Sequence, residues 1–399
     1  MLSLGGGMET NMNILYVAHE TVLGGATLSL LGMIDELKKN NKVYVLVRTD
    51  EGPLINELEK RKVTIIYTKF YSWLIPKEVK GMRGKLIIMM HRVACIINYL
   101  KALCLRKKIR NFHIDIIHTN SSIINMGGIL SKMYNIPHVW HIREFGKEDF
   151  NLSFVFSESY SYRYIEKHSD KVICVSDELK RKYLQFIPEN KVLRIYNGIR
   201  FPEKKIKTFE KKDRYNLLIA GRLSDAKGQK EAMLAISYLK KKGINNIFLH
   251  LAGSGNIEIY KAEAIKLGIE SQVTFYGHIN NLNQLRRIMD IELVCSKMEA
   301  FGRVTIEAMA SCLPVIGANS GGTKEIINNE INGLLYTQGD FKNLAMKIEA
   351  LVEDEEYRKR IAMKALEYVH HNFSVEKNAN QVYQCYLNIG GESGKFKNK

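Results

Sequence analysis

The sequence predicts an α/β protein built from two Rossmann-like domains, each a doubly wound parallel sheet. Short apolar runs alternate with longer amphipathic segments along the chain, which is typical of parallel strands joined by helices. With 399 residues, the chain exceeds the size of one ordinary core. A charged stretch without periodicity at 199–214, IRFPEKKIKTFEKKDR, separates two such series and is interpreted as the interdomain linker.

The first series predicts an N-terminal domain at 13–198, preceded by a disordered leader at 1–12. Its first strand is NILYVA at 13–18, followed by a glycine-containing loop and an amphipathic helix at 27–39. A long basic and apolar helix is predicted at 85–108. Further strands are predicted at 43–47, 63–67, 114–119, 138–142, 172–175 and 192–196.

The second series predicts a C-terminal domain at 215–372. An amphipathic segment at 375–387 is expected to return to the N-terminal domain, within a last part at 373–399 that ends in a flexible tail. Because open α/β sheets bind ligands at the carboxyl ends of their strands, we expect a ligand cleft between the domains. The strands are predicted at 216–220, 246–252, 273–276, 291–295 and 314–317, and the helices at 229–241, 257–267, 341–352 and 355–370.

The amino-acid composition indicates which binding partners and which cellular compartment to expect. The net charge of +17 favours an anionic partner, such as a charged substrate, a membrane surface or nucleic acid. The six cysteines show no metal-site spacing, and most of them are expected to be buried thiols in a reducing compartment. Residues 2–12 lack the features of a signal peptide, and no run of eighteen apolar residues predicts a spanning helix.

The segment 296–323, SKMEAFGRVTIEAMASCLPVIGANSGGT, concentrates groups that bind anions and hydroxyls. Glu299 and Glu307 lie on either side of Gly302, which permits a tight turn. The helix predicted after this turn has unpaired first-turn amides that attract phosphate. The segment therefore combines an anion site with two hydroxyl acceptors, as a nucleotide sugar requires. The alternative is that both glutamates are solvated acids at a helix start.

A second loop, AGRLSDAKG at 220–228, carries two cations at the end of a strand. Arg222 and Lys227 in a water-poor site would stabilise a departing diphosphate. A divalent ion could do the same, but the chain contains no Asp-x-Asp pair, which argues for the cations. The alternative is that both are surface charges.

These motifs together resemble the donor site of retaining glycosyltransferases of family GT4, which have the GT-B fold. The matching elements are E-A-F-G-x-x-x-x-E, L-P-V-I, S-G-G-T and G-R-x-x-x-x-K-G, whereas Cys295 stands where the family often has proline. The resemblance implies that Arg222 and Lys227 bind the diphosphate and that Glu299 binds hydroxyls of the transferred sugar. Glu307 would bind the ribose hydroxyls.

The resemblance also assigns roles outside this segment. His141, at the end of strand HVWHI, would contact the transferred sugar, although a packed histidine is the ordinary alternative. The first domain would hold the acceptor. Backbone and side chains expected near the donor are those of Gly24, Gly25, Ala26, Asn197, Gly221, Gly253, Gly277, His278, Ala300, Phe301, Gly302, Arg303 and Val304.

The implied function is transfer of a hexosyl unit from a nucleotide-diphosphate sugar, UDP by frequency or GDP, to a saccharide or lipid-linked acceptor. It implies retention at the anomeric carbon, no metal and no cofactor, and a role in surface polysaccharide or glycolipid synthesis. Two other enzymes of the same fold, a sugar phosphorylase and a sugar-nucleotide epimerase, share part of the residue set. A basic nucleic-acid-binding protein is supported by charge alone, and no nucleic-acid motif appears.

The basic segment 85–110 suggests where the protein works. Apolar residues such as Leu86, Met90, Val93 and Leu100 form a stripe flanked by lysines and arginines. A basic amphipathic helix of this kind lies on anionic membranes. We therefore expect a cytoplasmic protein that associates peripherally with the inner face of the membrane. The alternative is that the stripe packs on the sheet and the charges face solvent.

Overall fold

The computed structural model describes residues 11–77, 81–202, 207–279 and 281–393, which form two compact units. The first unit runs to Gly198 and resumes at Val375, and the second is Ile199–Ser374. Most of the predicted leader, residues 1–10, and the end of the predicted tail, from 394, lie outside the described residues. Met12 is buried, and its amide donates to Asn41 Oδ1, so the fold begins before the predicted position 13.

The first unit contains a parallel sheet of seven strands in the order β3-β2-β1-β5-β6-β8-β9 and a small antiparallel pair, β4 with β7. The antiparallel pair was not predicted, because three-residue strands leave no periodic signal. The strands are β1 (Asn13–Val17), β2 (Lys42–Val47), β3 (Thr64–Tyr67), β4 (Leu74–Pro76), β5 (Ile116–Thr119), β6 (His138–Ile142), β7 (Leu152–Phe154), β8 (Lys171–Cys174) and β9 (Val192–Arg194).

Helices cover this sheet, and the last helix of the chain is one of them. Residues Val382, Tyr386 and Ile389 of that helix share a core with Ile14 and Val45 of the sheet. The helices are α1 (Gly25–Leu37), α2 (Pro53–Lys60), α3 (Gly81–Cys104), α4 (Arg106–Asn111), α5 (Met126–Tyr134), α6 (Lys147–Phe150), α7 (Glu158–Lys167), α8 (Asp177–Leu184) and, after the second unit, α16 (Val375–Ser393).

The second unit is built around a parallel sheet of six strands in the order β12-β11-β10-β13-β14-β15. Its strands are β10 (Tyr215–Ala220), β11 (Ile247–Ala252), β12 (Val273–Gly277), β13 (Ile291–Val294), β14 (Val315–Ala318) and β15 (Leu334–Tyr336). Its helices are α9 (Gln229–Lys241), α10 (Ile257–Lys266), α11 (Leu282–Arg287), α12 (Arg303–Ala310), α13 (Thr323–Ile326), α14 (Phe341–Glu353) and α15 (Glu355–Asn372).

The described part of the predicted linker is anchored to the second unit. Lys207 Nζ donates to the carbonyl oxygens of Arg286 and Met289, and Arg358 Nη2 donates to that of Phe209. Phe209 itself is buried beside Cys312 and Ala362. The charged composition of 199–214 did not predict these contacts. A charged segment usually faces solvent, whereas Lys207 and Arg358 bind backbone carbonyls here.

Helix α3 differs from the predicted helix in both extent and exposure. It begins four residues earlier than predicted and ends at Cys104, and α4 follows as a separate helix. By length and composition alone it could cross a membrane, and only 17% of its most apolar stretch is buried, so it is not a covered core helix. The predicted stripe is mainly on the exposed side, so the alternative that it packs on the sheet is wrong. The exposed apolar residues are Met82, Leu86, Ile87, Met89, Met90, Val93, Ile96, Leu100 and Leu103.

Candidate functional site

The candidate site of the second unit lies at the point where its strand order reverses. From β10 the chain adds β11 and β12 on one side, and then returns to place β13, β14 and β15 on the other. The carboxyl ends of β10 and β13 are therefore adjacent and lead into loops that diverge. Open α/β sheets bind ligands at such a position. The predicted donor-site loop 221–228 begins there, as does the loop 295–302, which leads into the predicted segment 296–323.

A close backbone contact locks these two loops together. Gly228 has φ 72°, and a Cβ at this position would lie 2.1 Å from the carbonyl oxygen of Cys295. The amide of Lys297 donates to the carbonyl of Ala226 at 2.8 Å. Only glycine combines this φ with this contact, and so the spacing between Lys227 and the start of the β13 loop is set by the backbone.

Lys227 and Glu299 meet in this position. Lys227 Nζ lies 2.5 Å from Glu299 Oε1, which also accepts a hydrogen bond of 2.6 Å from Ser296 Oγ. The Lys227 side chain is 32% exposed, and so its ammonium group is within reach of a ligand. Arg222 is exposed, and within the described residues its guanidinium makes no hydrogen bond or ion pair. The two cations and one carboxylate thus share one edge of the sheet.

The N-terminus of α12 forms the next part of the site. Gly302 precedes the helix with φ 97°, which Cβ-bearing residues rarely adopt, and Ala300 and Phe301 before it are buried. The buried hydroxyls of Thr305 and Thr323 have no hydrogen-bond partner among the described residues. They lie 3.2 and 3.5 Å from where a Cβ of Gly302 would be. A helix N-terminus with two unpaired hydroxyls beside one glycine is suited to binding an oxyanion.

Glu307 is held by two arginines on the inner side of α12. Its Oε1 accepts from Arg303 Nε at 2.7 Å and its Oε2 from Arg286 Nη1 at 3.1 Å. Burial by itself raises the pKa of Glu307, but the charges of Arg303 and Arg286 outweigh it, and the pKa is lowered. Glu307 is therefore an ionised acceptor with lone pairs left for hydroxyl donors. Val304, the remaining predicted residue here, is half-buried in the first turn of the helix.

Three glycines bring the ends of β10, β11 and β12 together. The amide of Gly253 donates to the carbonyl of Gly277 at 2.7 Å, and a Cβ on Gly253 would lie 1.9 Å from the carbonyl oxygen of Gly221. The backbone is consequently accessible along this edge. His278, which follows Gly277, is exposed. These residues lie at the strand ends where the sequence predicted them. None of their side chains indicates which ligand would bind there.

The first unit has a reversal point of its own between β1 and β5. Of the predicted loop Gly24, Gly25 and Ala26, only Gly24 precedes α1. Gly25, which is exposed, and Ala26 form the first turn of the helix, which therefore begins two residues earlier than predicted. Asn120, at the end of β5, donates from Nδ2 to the carbonyl of Ala26 at 3.2 Å. The N-terminus of α1 is thereby tied to the centre of the sheet.

His141 and Asn197 belong to one buried network around Arg143. Arg143 donates to Asn120 Oδ1 at 2.6 Å, to Asn197 Oδ1 at 2.5 Å and to His141 Nδ1 at 3.3 Å. His141 is fully buried, and its Nε2 has no partner among the described residues. Burial first, and the charge of Arg143 second, place its pKa well below the usual range, and so the ring is neutral. Asn197 is thus a structural partner of Arg143.

Several residues of these networks were not predicted. Ser296, Arg286, Glu292 and Asn120 all bind predicted site residues, either directly or through a shared partner. Glu292 gave a usable signal, because an acid inside a buried strand needs a cation, and Arg286 supplies it at 2.8 and 3.0 Å. Ser296 lies inside the predicted segment 296–323, only three residues before Glu299. Arg286 and Asn120 depend on contacts between distant segments and leave no local pattern.

Comparison with family models covers most of the chain. The model described as glycosyltransferase family 4 matches residues 23–201, and the model for glycosyl transferases group 1 matches residues 200–368. An uncharacterized glycosyltransferase of Methanocaldococcus jannaschii is 29% identical over 293 residues, which are 68% of this chain and 75% of that protein. The capsular polysaccharide biosynthesis glycosyltransferase CapM of Staphylococcus aureus is 28% identical over 51% of this chain and 57% of its own.

Solved structures show the same fold. The Anabaena protein HepE, crystallised with UDP and glucose, superimposes with a TM-score of 0.74 at 22% identity, over 95% of this chain and 100% of that one. The structure of TarM gives a TM-score of 0.71 at 16% identity over 94% of this chain and 98% of its own. The two α/β units therefore have the GT-B fold.

Proposed function

The chain belongs to the GT4 glycosyltransferases, and on that premise we propose that it transfers a hexosyl unit, with retention, from a UDP-sugar to a saccharide or lipid-linked acceptor. The observation that carries the proposal is the contact of Lys227 with Glu299 at the reversal point of the second sheet, with the exposed Arg222 on the same loop as Lys227. The two cations suit the diphosphate of a nucleotide sugar, and the carboxylate suits the hydroxyls of its sugar. CapM, the capsular relative, supports a role in surface polysaccharide or glycolipid synthesis.

The donor phosphates would be bound by Arg222, Lys227 and the N-terminus of α12. Cationic side chains positioned before the reaction stabilise the charge that develops on the leaving diphosphate. Glu299 would accept hydroxyls of the transferred sugar, and Glu307 those of the ribose. Support for UDP comes from HepE, whose crystal contained UDP, and a GDP-sugar is the alternative. We propose that these cations make a metal ion unnecessary.

Retention follows from attack and departure on the same face of the sugar. The bond from the anomeric carbon to the diphosphate oxygen breaks, and the acceptor oxygen bonds to that carbon from the same side. The acceptor proton passes to the leaving phosphate oxygen, and so no protein base or nucleophile is consumed. Lys227 and Arg222 would hold the charge of the diphosphate throughout this step.

We propose further that α3 places the enzyme on an anionic membrane surface, and hence on the cytoplasmic side. Its inner face is fixed to the first unit: Asn98 donates to Tyr71 and Asn125, and Arg92 donates to the carbonyl of Val155. A helix anchored along one side in this way fits a membrane surface rather than a span. On the helical wheel the exposed apolar face is flanked by Arg83 and Lys101 on one edge and by Lys85 and Arg92 on the other.

The proposed chemistry is tested by donor binding and turnover. We expect UDP-hexoses to raise the melting temperature of the full chain, because they bind only the folded state. Hydrolysis or transfer should fall about a hundredfold in Arg222→Ala and Lys227→Ala. Lys230→Ala is the matched control, since Lys230 is a partly exposed cation just after this loop, in the first turn of α9, that pairs with Asp225.

Three results would contradict the proposal. Near-normal turnover of both alanine variants would show that Arg222 and Lys227 do not stabilise the leaving diphosphate. Activity abolished by a chelator and restored by manganese would remove metal independence. Inversion of the anomeric configuration, read by proton NMR of the product, would exclude retention. A phosphorylase would instead release sugar 1-phosphate when supplied with inorganic phosphate.

A further inference from the structure

Three buried side chains of the first unit form a line that ends at His141. Tyr386 of α16 lies with its hydroxyl 2.7 Å from His118 Nδ1, and His118 Nε2 lies 3.2 Å from His141 Nδ1. All three residues are fully buried. His118 is on β5 and His141 on the neighbouring β6, and so the line runs from the C-terminal helix across the sheet.

Arg143 determines which nitrogen of His141 carries the proton. Arginine donates hydrogen bonds and cannot accept them, and Arg143 Nη2 is 3.3 Å from His141 Nδ1. Nδ1 must therefore be the acceptor, and the proton of the neutral ring is on Nε2. This Nε2–H is the atom that has no partner among the described residues. A buried donor without a partner destabilises the fold unless something completes it.

The same reasoning continues along the line. Since His141 Nδ1 accepts, His118 must donate to it from Nε2–H, which leaves His118 Nδ1 as an acceptor. The Tyr386 hydroxyl has one hydrogen, and it then donates that hydrogen to His118 Nδ1 at 2.7 Å rather than to the Tyr16 oxygen at 3.4 Å. Burial, with the charge of Arg143, keeps the pKa of His118 well below the usual range, which agrees with a neutral ring.

We propose that Tyr386 and His118 are positioning residues that hold His141 as an Nε2–H donor, directed at a hydroxyl oxygen of the sugar substrate. The proposal rests on the transferase function proposed above, and it adds the C-terminal helix to the residues that set the sugar contact. A hydroxyl oxygen is the fitting partner because the free atom is a neutral donor. Since Nε2 is closed to solvent in this structure, the contact forms only in a conformation in which the groups that cover it have moved. A tautomer fixed by a second residue keeps that donor aligned before the substrate arrives.

The test compares Tyr386→Phe with Tyr383→Phe, which removes a hydroxyl from the same helix. We expect Tyr386→Phe to lower kcat about tenfold, as loss of a supporting partner commonly does, with little change in KM for the nucleotide sugar. Tyr383→Phe should leave kcat unchanged. His118→Gln keeps an N–H toward His141 and should retain most of the activity, whereas His118→Leu should lose it.

A spectroscopic readout separates positioning from mere stability. In the full chain labelled with ¹⁵N-histidine, His141 should show the Nε2–H tautomer, and Tyr386→Phe should shift that signal toward a mixture. A wild-type Nδ1–H tautomer, or a signal unchanged in Tyr386→Phe, overturns the proposal whatever the activity. A shifted signal with unchanged kcat overturns its substrate part. Failure of the proposed function looks different: the wild type would transfer no sugar although its tautomer is the expected one.

Discussion

Arg286 is a buried residue that holds the candidate site residue Glu307 in place. It donates to both carboxylate oxygens of Glu292 and also to Glu307, and its side chain is buried. Burying these charges costs free energy, and their attraction and hydrogen bonds offset that cost only while every partner is present. Its role is therefore to orient Glu307 and to neutralise Glu292 within β13.

Removing this guanidinium should be costly. We expect Arg286→Met to lower the free energy of unfolding of the second unit by about 3–5 kcal/mol, because Glu292 is left buried without its cation. Urea unfolding followed by circular dichroism measures this. The exposed neighbour gives the control, since Arg287→Met should change stability by less than about 0.5 kcal/mol. A double variant, Arg286→Met with Glu292→Leu, should recover much of the loss, and an equal loss in the double variant would refute the explanation.

At the scale of elements, α3 presents two apolar faces on opposite sides. Residues Gly84, Cys95, Asn98 and Ala102 lie on the buried face, and the exposed face repeats at intervals of three and four from Met82 to Leu103. No acidic residue occurs between 81 and 110. An apolar strip with basic edges complements an anionic bilayer, where each cation near the surface contributes about 1 kcal/mol.

The membrane proposal predicts a result that depends on apolar residues as well as charge. Wild-type protein should sediment with vesicles containing phosphatidylglycerol, and a triple variant of Leu86, Val93 and Leu100 to Gln should bind about tenfold more weakly or worse. Met346→Gln is the control, because Met346 is an exposed apolar residue of the second unit. Unchanged binding of the triple variant would argue against the proposal. A change in oligomeric state instead of vesicle binding would indicate a second copy of the chain as the partner.

The contact between the loops after β10 and β13 is also a property of elements. Gly228→Ala should lower the free energy of unfolding by about 2–4 kcal/mol, because its Cβ would overlap the Cys295 carbonyl as well as strain the backbone. Gly243 is the matched control: its φ is 90°, but a Cβ there meets nothing within 4 Å. Gly243→Ala should cost only about 1 kcal/mol. Similar losses in the two variants would show that backbone strain alone accounts for Gly228.

At the scale of the whole molecule, the two units can be followed separately. Both tryptophans of the chain, Trp73 and Trp140, lie in the first unit, and so their fluorescence reports that unit. The same unit contains three buried histidines with lowered pKa values. For His138 burial lowers the pKa to about 4, against the backbone bond to His168 and the charge of Asp170, which raise it.

These histidines predict acid sensitivity of the first unit. Their folded pKa values are below the value in the unfolded chain, so the unfolded state binds more protons as the pH falls below about 6.5. The stability they confer is complete above that pH and is lost on acidification toward their folded pKa values. We expect each to contribute a slope of about 1.4 kcal/mol per pH unit between pH 6 and 4.

The measurement is urea unfolding by tryptophan fluorescence across this range. His138→Gln should reduce the slope of unfolding free energy against pH by about 1.4 kcal/mol per pH unit, the contribution of one histidine. His278 is an exposed histidine of the second unit, and His278→Gln should not change the slope. A slope that is the same in wild type and His138→Gln would contradict the assignment.

Local pattern alone was enough for part of this molecule. Largely apolar runs such as NILYV and IFLHLA predicted their strands, because a strand buried on both faces is mostly apolar. The motifs around Arg222, Lys227, Glu299 and Glu307 identified the family, and strand ends in an α/β protein must lie at one edge of the sheet. These conclusions need only neighbours in sequence and a general rule of topology.

Tertiary structure decided the rest. Whether the stripe of α3 is covered depends on which of its two apolar faces meets α5, and both faces have the same period. The pairing of Lys227 with Glu299, of Arg286 with Glu292, and of Tyr386 with His118 joins residues that come together only when loops or strands pack. Sequence states which groups are available. Packing alone determines their partners, because hydrogen bonds and ion pairs depend on distances of a few ångströms between segments.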